Sequence, residues 1–92
     1  MLANKRVLVT GVANHRSIAW AVAEAWASAG ATVHVTCQSE RFMPSLLRLT
    51  NGAWGEDHRH SVGVADMRDD AAIERACEAA SGANGLDAVL HR

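Results

Sequence analysis

Four short apolar or β-branched runs, Lys5 to Thr10 (KRVLVT), Thr32 to Thr36 (TVHVT), His60 to Ala65 (HSVGVA) and Leu86 to His91 (LDAVLH), alternate with stretches of helical spacing. This alternation constrains the fold more than any other feature. Strands joined through helices lie parallel, and right-handed crossovers stack them into one sheet with helices on both faces. The expected fold is α/β, a doubly wound parallel sheet in spatial order 3-2-1-4. Its crevice should lie at the carboxyl ends of strands one and four, where the winding reverses.

The helices follow from spacing. Ser17 to Ala29 carries Ile18, Val22 and Trp26 four apart, with Ala19 and Ala23 beside them and Gly30 as the stop. Ser39 to Leu49 carries Phe42, Leu46 and Leu49, which requires Pro44 to sit in the first turn. A third helix should be capped by Asp69 or Asp70 and run to about Ser81, with Ile73, Ala76, Cys77 and Ala80 on one face. Val12 to Arg16 reads as a polar loop, and so does Thr50 to Arg59 (TNGAWGEDHR), with two glycines.

Ninety-two residues accommodate one small domain, so residues 1–92 are read as part of a single domain with no second one. The formal charge is −1 and no basic cluster exceeds a pair such as Lys5-Arg6, which argues against binding to nucleic acid or an anionic membrane. No signal-length or membrane-spanning apolar run occurs. Cys37 and Cys77 stand 40 apart without a CxxC partner, which fits a reducing cytoplasm better than a disulfide scaffold. His58 and His60 form an H-x-H pair, but zinc sites want three or four ligands at fixed spacings, so no metal is expected. No nucleophile elbow accompanies the Ser, His and Asp residues, so a hydrolase is unsupported.

The chemistry concentrates in Thr10-Gly11-Val12-Ala13-Asn14-His15-Arg16-Ser17-Ile18-Ala19-Trp20, a turn that follows a strand and opens a helix. Gly11 permits close approach of a ligand to the backbone, while free N–H groups and the positive helix end near Ser17 and Ile18 attract a pyrophosphate. The G-x-G-x-x-G fingerprint of dinucleotide sites is missing its second and third glycines. Gln38 ends strand two, where an acid or amide meets an adenosine ribose; beside it Glu40 disfavours a 2′-phosphate and Arg41 could accept one.

The departure from the fingerprint is informative. Gly11-Val12-Ala13-x-x-x-Ser17-Ile18-Ala19-Trp20 resembles the divergent turn of bacterial enoyl-acyl-carrier-protein reductases, in the short-chain dehydrogenase/reductase superfamily. The resemblance continues at matched spacing through Thr36-Cys37-Gln38, Ala65-Asp66-Met67 and Leu86-Asp87-x-Val89-Leu90-His91, nearly the whole chain. It implies a Rossmann-like dinucleotide-binding domain and NADH as cofactor, with NADPH left open. The reaction implied is reduction of the trans-2 double bond of thioesters on acyl carrier protein, in a cytoplasmic homo-oligomer of fatty-acid biosynthesis.

The cofactor-binding residues implied are Gly11, Ser17 and Ile18 at the pyrophosphate, Gln38 at the adenosine and Asp66 at the adenine amino group. Met67 would act through its backbone, and His91 would end strand four beside residues that hold the nicotinamide ribose. The family's catalytic Tyr and Lys have no counterpart here, since the chain holds no Tyr and its one Lys is Lys5. The expectation is therefore the amino-terminal part of a protein of roughly 250 residues, its sheet cut after the fourth strand and carrying no catalytic residue of its own. The alternative is a non-catalytic nucleotide-binding module, or a piece of another short-chain dehydrogenase.

Overall fold

A computed structural model of the chain describes residues 4–12, 17–55, 60–81 and 85–90. Strands β1 (Arg6–Val9), β2 (Thr32–Cys37), β3 (Ser61–Val64) and β4 (Ala88–Leu90) form one parallel sheet in the order β3-β2-β1-β4, as the alternation predicts. The register sets Leu8 beside His34 and Val89, and Thr36 beside Gly63. β1 and β2 are buried almost throughout, as the inner strands of a parallel sheet covered on both faces should be.

Helix α1 (Ile18–Ser28) and helix α2 (Met43–Trp54) cover one face, packing on Val7, Val9, Val33, Val35 and Cys37. Helix α3 (Asp70–Ala80) covers the other, where Ala76 and Ala80 meet Leu8 and Ala65. α1 ends in a Schellman motif: Gly30 takes a φ of 104°, its N–H reaches the Ala27 carbonyl, and the Ala31 N–H reaches Trp26. Asp69 caps α3 by accepting the Ala71 N–H at 3.0 Å, and the Arg6 guanidinium donates to the Ala80 carbonyl at the other end, at 2.8 Å.

Three expectations need correction. The buried face of α1 is Ala19, Trp20 and Ala23, whereas Ile18 is 59% exposed; alanine lets the helix axis approach the strands, and Ile18 stands at the helix mouth beyond them. Val12 belongs to the core rather than to a polar loop, because its N–H continues the strand pairing by donating to the Thr36 carbonyl at 3.0 Å. The Thr50 to Arg59 loop starts later than expected, since α2 runs on through Gly52 to Trp54. Pro44 does sit in its first turn, preceded by a 3-10 turn at Glu40–Phe42.

The extension of α2 has a tertiary cause. Trp54 packs in tilted contact against Trp20 at 5.2 Å and His60 at 4.3 Å between ring centroids, and Thr50 is buried with its hydroxyl donating to the Leu47 carbonyl. Trp54 is partly buried, and at roughly 25 cal/mol per Å² of apolar surface removed from water even partial burial of so large a side chain offsets the roughly 1 kcal/mol cost of a glycine within the helix.

Candidate functional site

The carboxyl ends of β1, β2 and β3 gather the residues singled out in the sequence. At the end of β1, Gly11 takes a φ of 73°, the left-handed region in which a side chain is strained. The chain then returns at Ser17, whose extended backbone (φ −65°, ψ 135°) places it at the N-cap of α1. Its hydroxyl makes no capping bond, although serine ordinarily does so at that position. The first turn of α1 therefore presents N–H groups without an intrahelical acceptor next to a hydroxyl that makes no capping bond, and no acidic side chain stands in that turn to neutralise the positive helix end. This geometry fits the pyrophosphate of a dinucleotide. Residues 13–16 of the same motif lie outside the described residues.

The second group forms where β2 and β3 end. Gln38 and Asp66, 28 positions apart, are bonded side chain to side chain, Gln38 Nε2 donating to Asp66 Oδ1 at 2.5 Å. The Gln38 Oε1 accepts the Met67 N–H at 3.4 Å, so one amide ties two strand ends together. Arg68 completes the cluster with three donations to the Asp66 carboxylate: its N–H and Nε to Oδ1 at 2.9 and 3.0 Å, and Nη2 to Oδ2 at 3.0 Å. Side-chain and backbone bonds from Arg68, with a smaller part from Gln38, hold the Asp66 pKa down to about 2. The sequence reading did not single out Arg68; the D-x-R spacing after a strand is the signal that an Asx-type turn could form there. The N-cap of α3 is Asp69.

Between the two groups lies Thr36, 1% exposed, whose hydroxyl has no hydrogen-bond partner among the described residues. Arg41 lies over the Phe42 ring at 5.1 Å from its centroid, and Glu40 is exposed. His91 and His58 lie outside the described residues. His60 accepts the Val33 N–H on Nδ1 at 3.0 Å, and no group of three or more His, Cys, Asp or Glu among the described residues is placed to hold a metal ion. Cys37 is buried, which pushes its thiol pKa up. A cavity of about 230 Å³ lined by Leu47, Thr50, Trp54 and His60 lies elsewhere, where α2 ends and β3 begins.

Residues 11–92 match the family described as Enoyl-(Acyl carrier protein) reductase. The chain is 36% identical over 91 residues to the enoyl-acyl-carrier-protein reductase (NADH) FabI of Enterococcus faecalis, a match covering 98% of this chain and 34% of that protein. It is 33% identical over 94 residues to the FabI of a Synechocystis species, covering 98% of this chain and 35% of that one. The chain thus spans about a third of the length of the curated relatives it matches. Among solved structures, an enoyl-acyl-carrier-protein reductase of Anaplasma phagocytophilum in complex with NAD superposes with a TM-score of 0.81 at 27% identity, over 98% of this chain and 33% of that one. The corresponding NADH enzyme of Aquifex aeolicus gives 0.76 at 26% identity, over 99% and 39%.

Proposed function

From the premise that this chain belongs to the enoyl-(acyl carrier protein) reductase family, we propose that it forms the adenosine and pyrophosphate half of a dinucleotide site, as the amino-terminal part of a single Rossmann domain. The whole protein then reduces the trans-2 double bond of an acyl thioester on acyl carrier protein, as a cytoplasmic homo-oligomer of fatty-acid biosynthesis. NADH is the proposed cofactor, supported by the names of the relatives and by Glu40, which disfavours a 2′-phosphate. The observation that carries the reading is the juxtaposition at one end of the sheet of a left-handed Gly11, the uncapped mouth of α1 and the Gln38–Asp66 pair.

The residues divide the work by chemistry. Gly11 lets backbone approach the pyrophosphate, and Ser17 with the Ile18 N–H donates to its oxygens at the positive end of α1. Gln38, Asp66 and the Met67 backbone line the adenosine end. The bound dinucleotide supplies the hydride.

Titration of NADH into the isotopically labelled chain, followed by amide chemical shifts, tests this. Shifts are expected at Gly11, Ser17, Ile18, Gln38 and Met67, with NADPH binding more weakly. Ser17→Ala removes a hydrogen bond to a charged group worth roughly 1.5–3 kcal/mol and should weaken NADH about 10- to 150-fold with the fold retained. Absence of shifts at millimolar NADH would refute the assignment, and unchanged affinity in Ser17→Ala would remove the serine from it.

A further inference from the structure

The two oxygens of the Asp66 carboxylate are not equally committed. Among the described residues, Oδ1 accepts three donors, the Arg68 N–H, Arg68 Nε and Gln38 Nε2, whereas Oδ2 accepts one, Arg68 Nη2. A carboxylate offers about two acceptor positions on each oxygen, so Oδ1 is saturated and Oδ2 retains one. The Asp66 side chain is 38% exposed, so part of the carboxylate is accessible, while the Arg68 side chain is 84% exposed and held by the carboxylate rather than by packing. A forked guanidinium is the group that fixes the plane of a carboxylate, since its two parallel N–H bonds leave no rotation about the last bond of the side chain.

Building on the adenosine end proposed above, we propose that Arg68 is a positioning residue for base selection. By holding Asp66 in a fixed plane with Oδ1 filled, it leaves one acceptor on Oδ2 for the exocyclic amine of an aminopurine and turns the same charge against a purine carrying a carbonyl there. Adenine places an N–H₂ donor at this edge, and hypoxanthine places an acceptor oxygen that a carboxylate repels. From its own turn the carboxylate faces the Arg68 cation, and from the end of β2 it faces the neutral Gln38 amide. A carboxylate is ionised and acceptor-only throughout the neutral range, and those contacts hold its pKa lower still, at about 2.

The test compares NADH with reduced nicotinamide hypoxanthine dinucleotide on the 92-residue chain. The unmodified chain should prefer NADH by about tenfold, the scale of one hydrogen bond to a charged group. Arg68→Ala should bring the two within about twofold, chiefly by weakening NADH. Arg68→Lys should recover part of the preference, because it restores the charge without the fork. The ligand-free carboxyl carbon of Asp66, followed by NMR, should titrate near 2 in the unmodified chain and return toward 3.8 in Arg68→Ala. An Arg68 that merely stabilised the turn would weaken both dinucleotides equally, and a preserved ratio in Arg68→Ala overturns the proposal. So does a carboxyl titration that Arg68→Ala leaves unmoved. Binding of both dinucleotides without discrimination by the unmodified chain overturns it while sparing the cofactor site, whereas binding of neither overturns both.

Discussion

A histidine at the centre of a buried strand needs its charge suppressed, and His34 shows how this chain achieves it. The side chain is 7% exposed, its Nδ1 lies 2.6 Å from the Ser61 hydroxyl, and a Cβ at Gly63 would come within 3.2 Å of its Nε2. Burial first, and then the charge of Arg6, lowers its pKa below 6.5. With the folded value below the unfolded one, the unfolded chain takes up the proton first as the pH falls. Stability is therefore full above about pH 6.5 and declines below it, until His34 itself protonates. The slope for one such group reaches about 1.4 kcal/mol per pH unit. Urea unfolding at pH 7 and pH 5 should show a loss in the unmodified chain that is smaller in His34→Gln, which keeps a polar group for Ser61 but cannot titrate. Equal losses would assign the pH dependence to other groups.

At the scale of the element, α2 carries two glycines with opposite roles. Gly52 is exposed within the helix, and a Cβ there would meet nothing within 4 Å. Gly52→Ala should stabilise the chain by about 0.5–1 kcal/mol, because alanine loses less backbone freedom on entering a helix. Gly55 ends the helix at φ 56° and ψ −120°, a conformation that side chains rarely adopt, so Gly55→Ala should cost about 1–3 kcal/mol although the space around it is equally open. Thermal unfolding of the two variants gives the comparison. A shift of the same sign in both would mean that helix propensity outweighs backbone strain at Gly55.

Across the 92-residue chain, the order β3-β2-β1-β4 leaves β4 at one edge of the sheet formed by the described residues. β4 pairs with β1 on one side, its residues Ala88 to Leu90 include no charge, and Val89 is 50% exposed. An edge without a charged residue invites pairing with another chain. Light scattering of the 92-residue chain should rise with concentration, and Val89→Lys should suppress the rise; monodisperse behaviour of both at equal concentration would contradict this. The same molecule holds no tyrosine to donate a hydrogen bond to a developing oxyanion, and loss of one such donor costs about 10²–10³ in rate. A spectrophotometric assay with an enoyl thioester and NADH should therefore show no turnover by this chain, and turnover above buffer would require a different donor.

The alternation of strands and helices, the sheet order, the first-turn place of Pro44, a cap at Asp69 or Asp70 and the turn at Gly11 were all legible in the sequence. Each depends on backbone preferences and periodicities spanning a few residues, or on the general rule for crossovers, and such information is carried locally. The length of α2 was not, because Trp54 is held in the helix by Trp20 and His60 against the local pull of Gly52 and Gly55. Nor was the rotation of α1 that buries Trp20 and exposes Ile18, since a helix with apolar residues on more than one side takes its orientation from the sheet it meets. At the candidate site, Gly11, Ser17 and Gln38 could be named from their places at strand ends and a helix start, and Asp66 from the family resemblance. Their commitments could not: that Gln38 bonds Asp66, that Arg68 saturates one oxygen and spares the other, and that the Ser17 hydroxyl leaves its cap unmade are set by strand register and turn geometry. Hydrogen bonds between groups 28 residues apart depend on where two strands end beside one another, and that is decided when the sheet assembles.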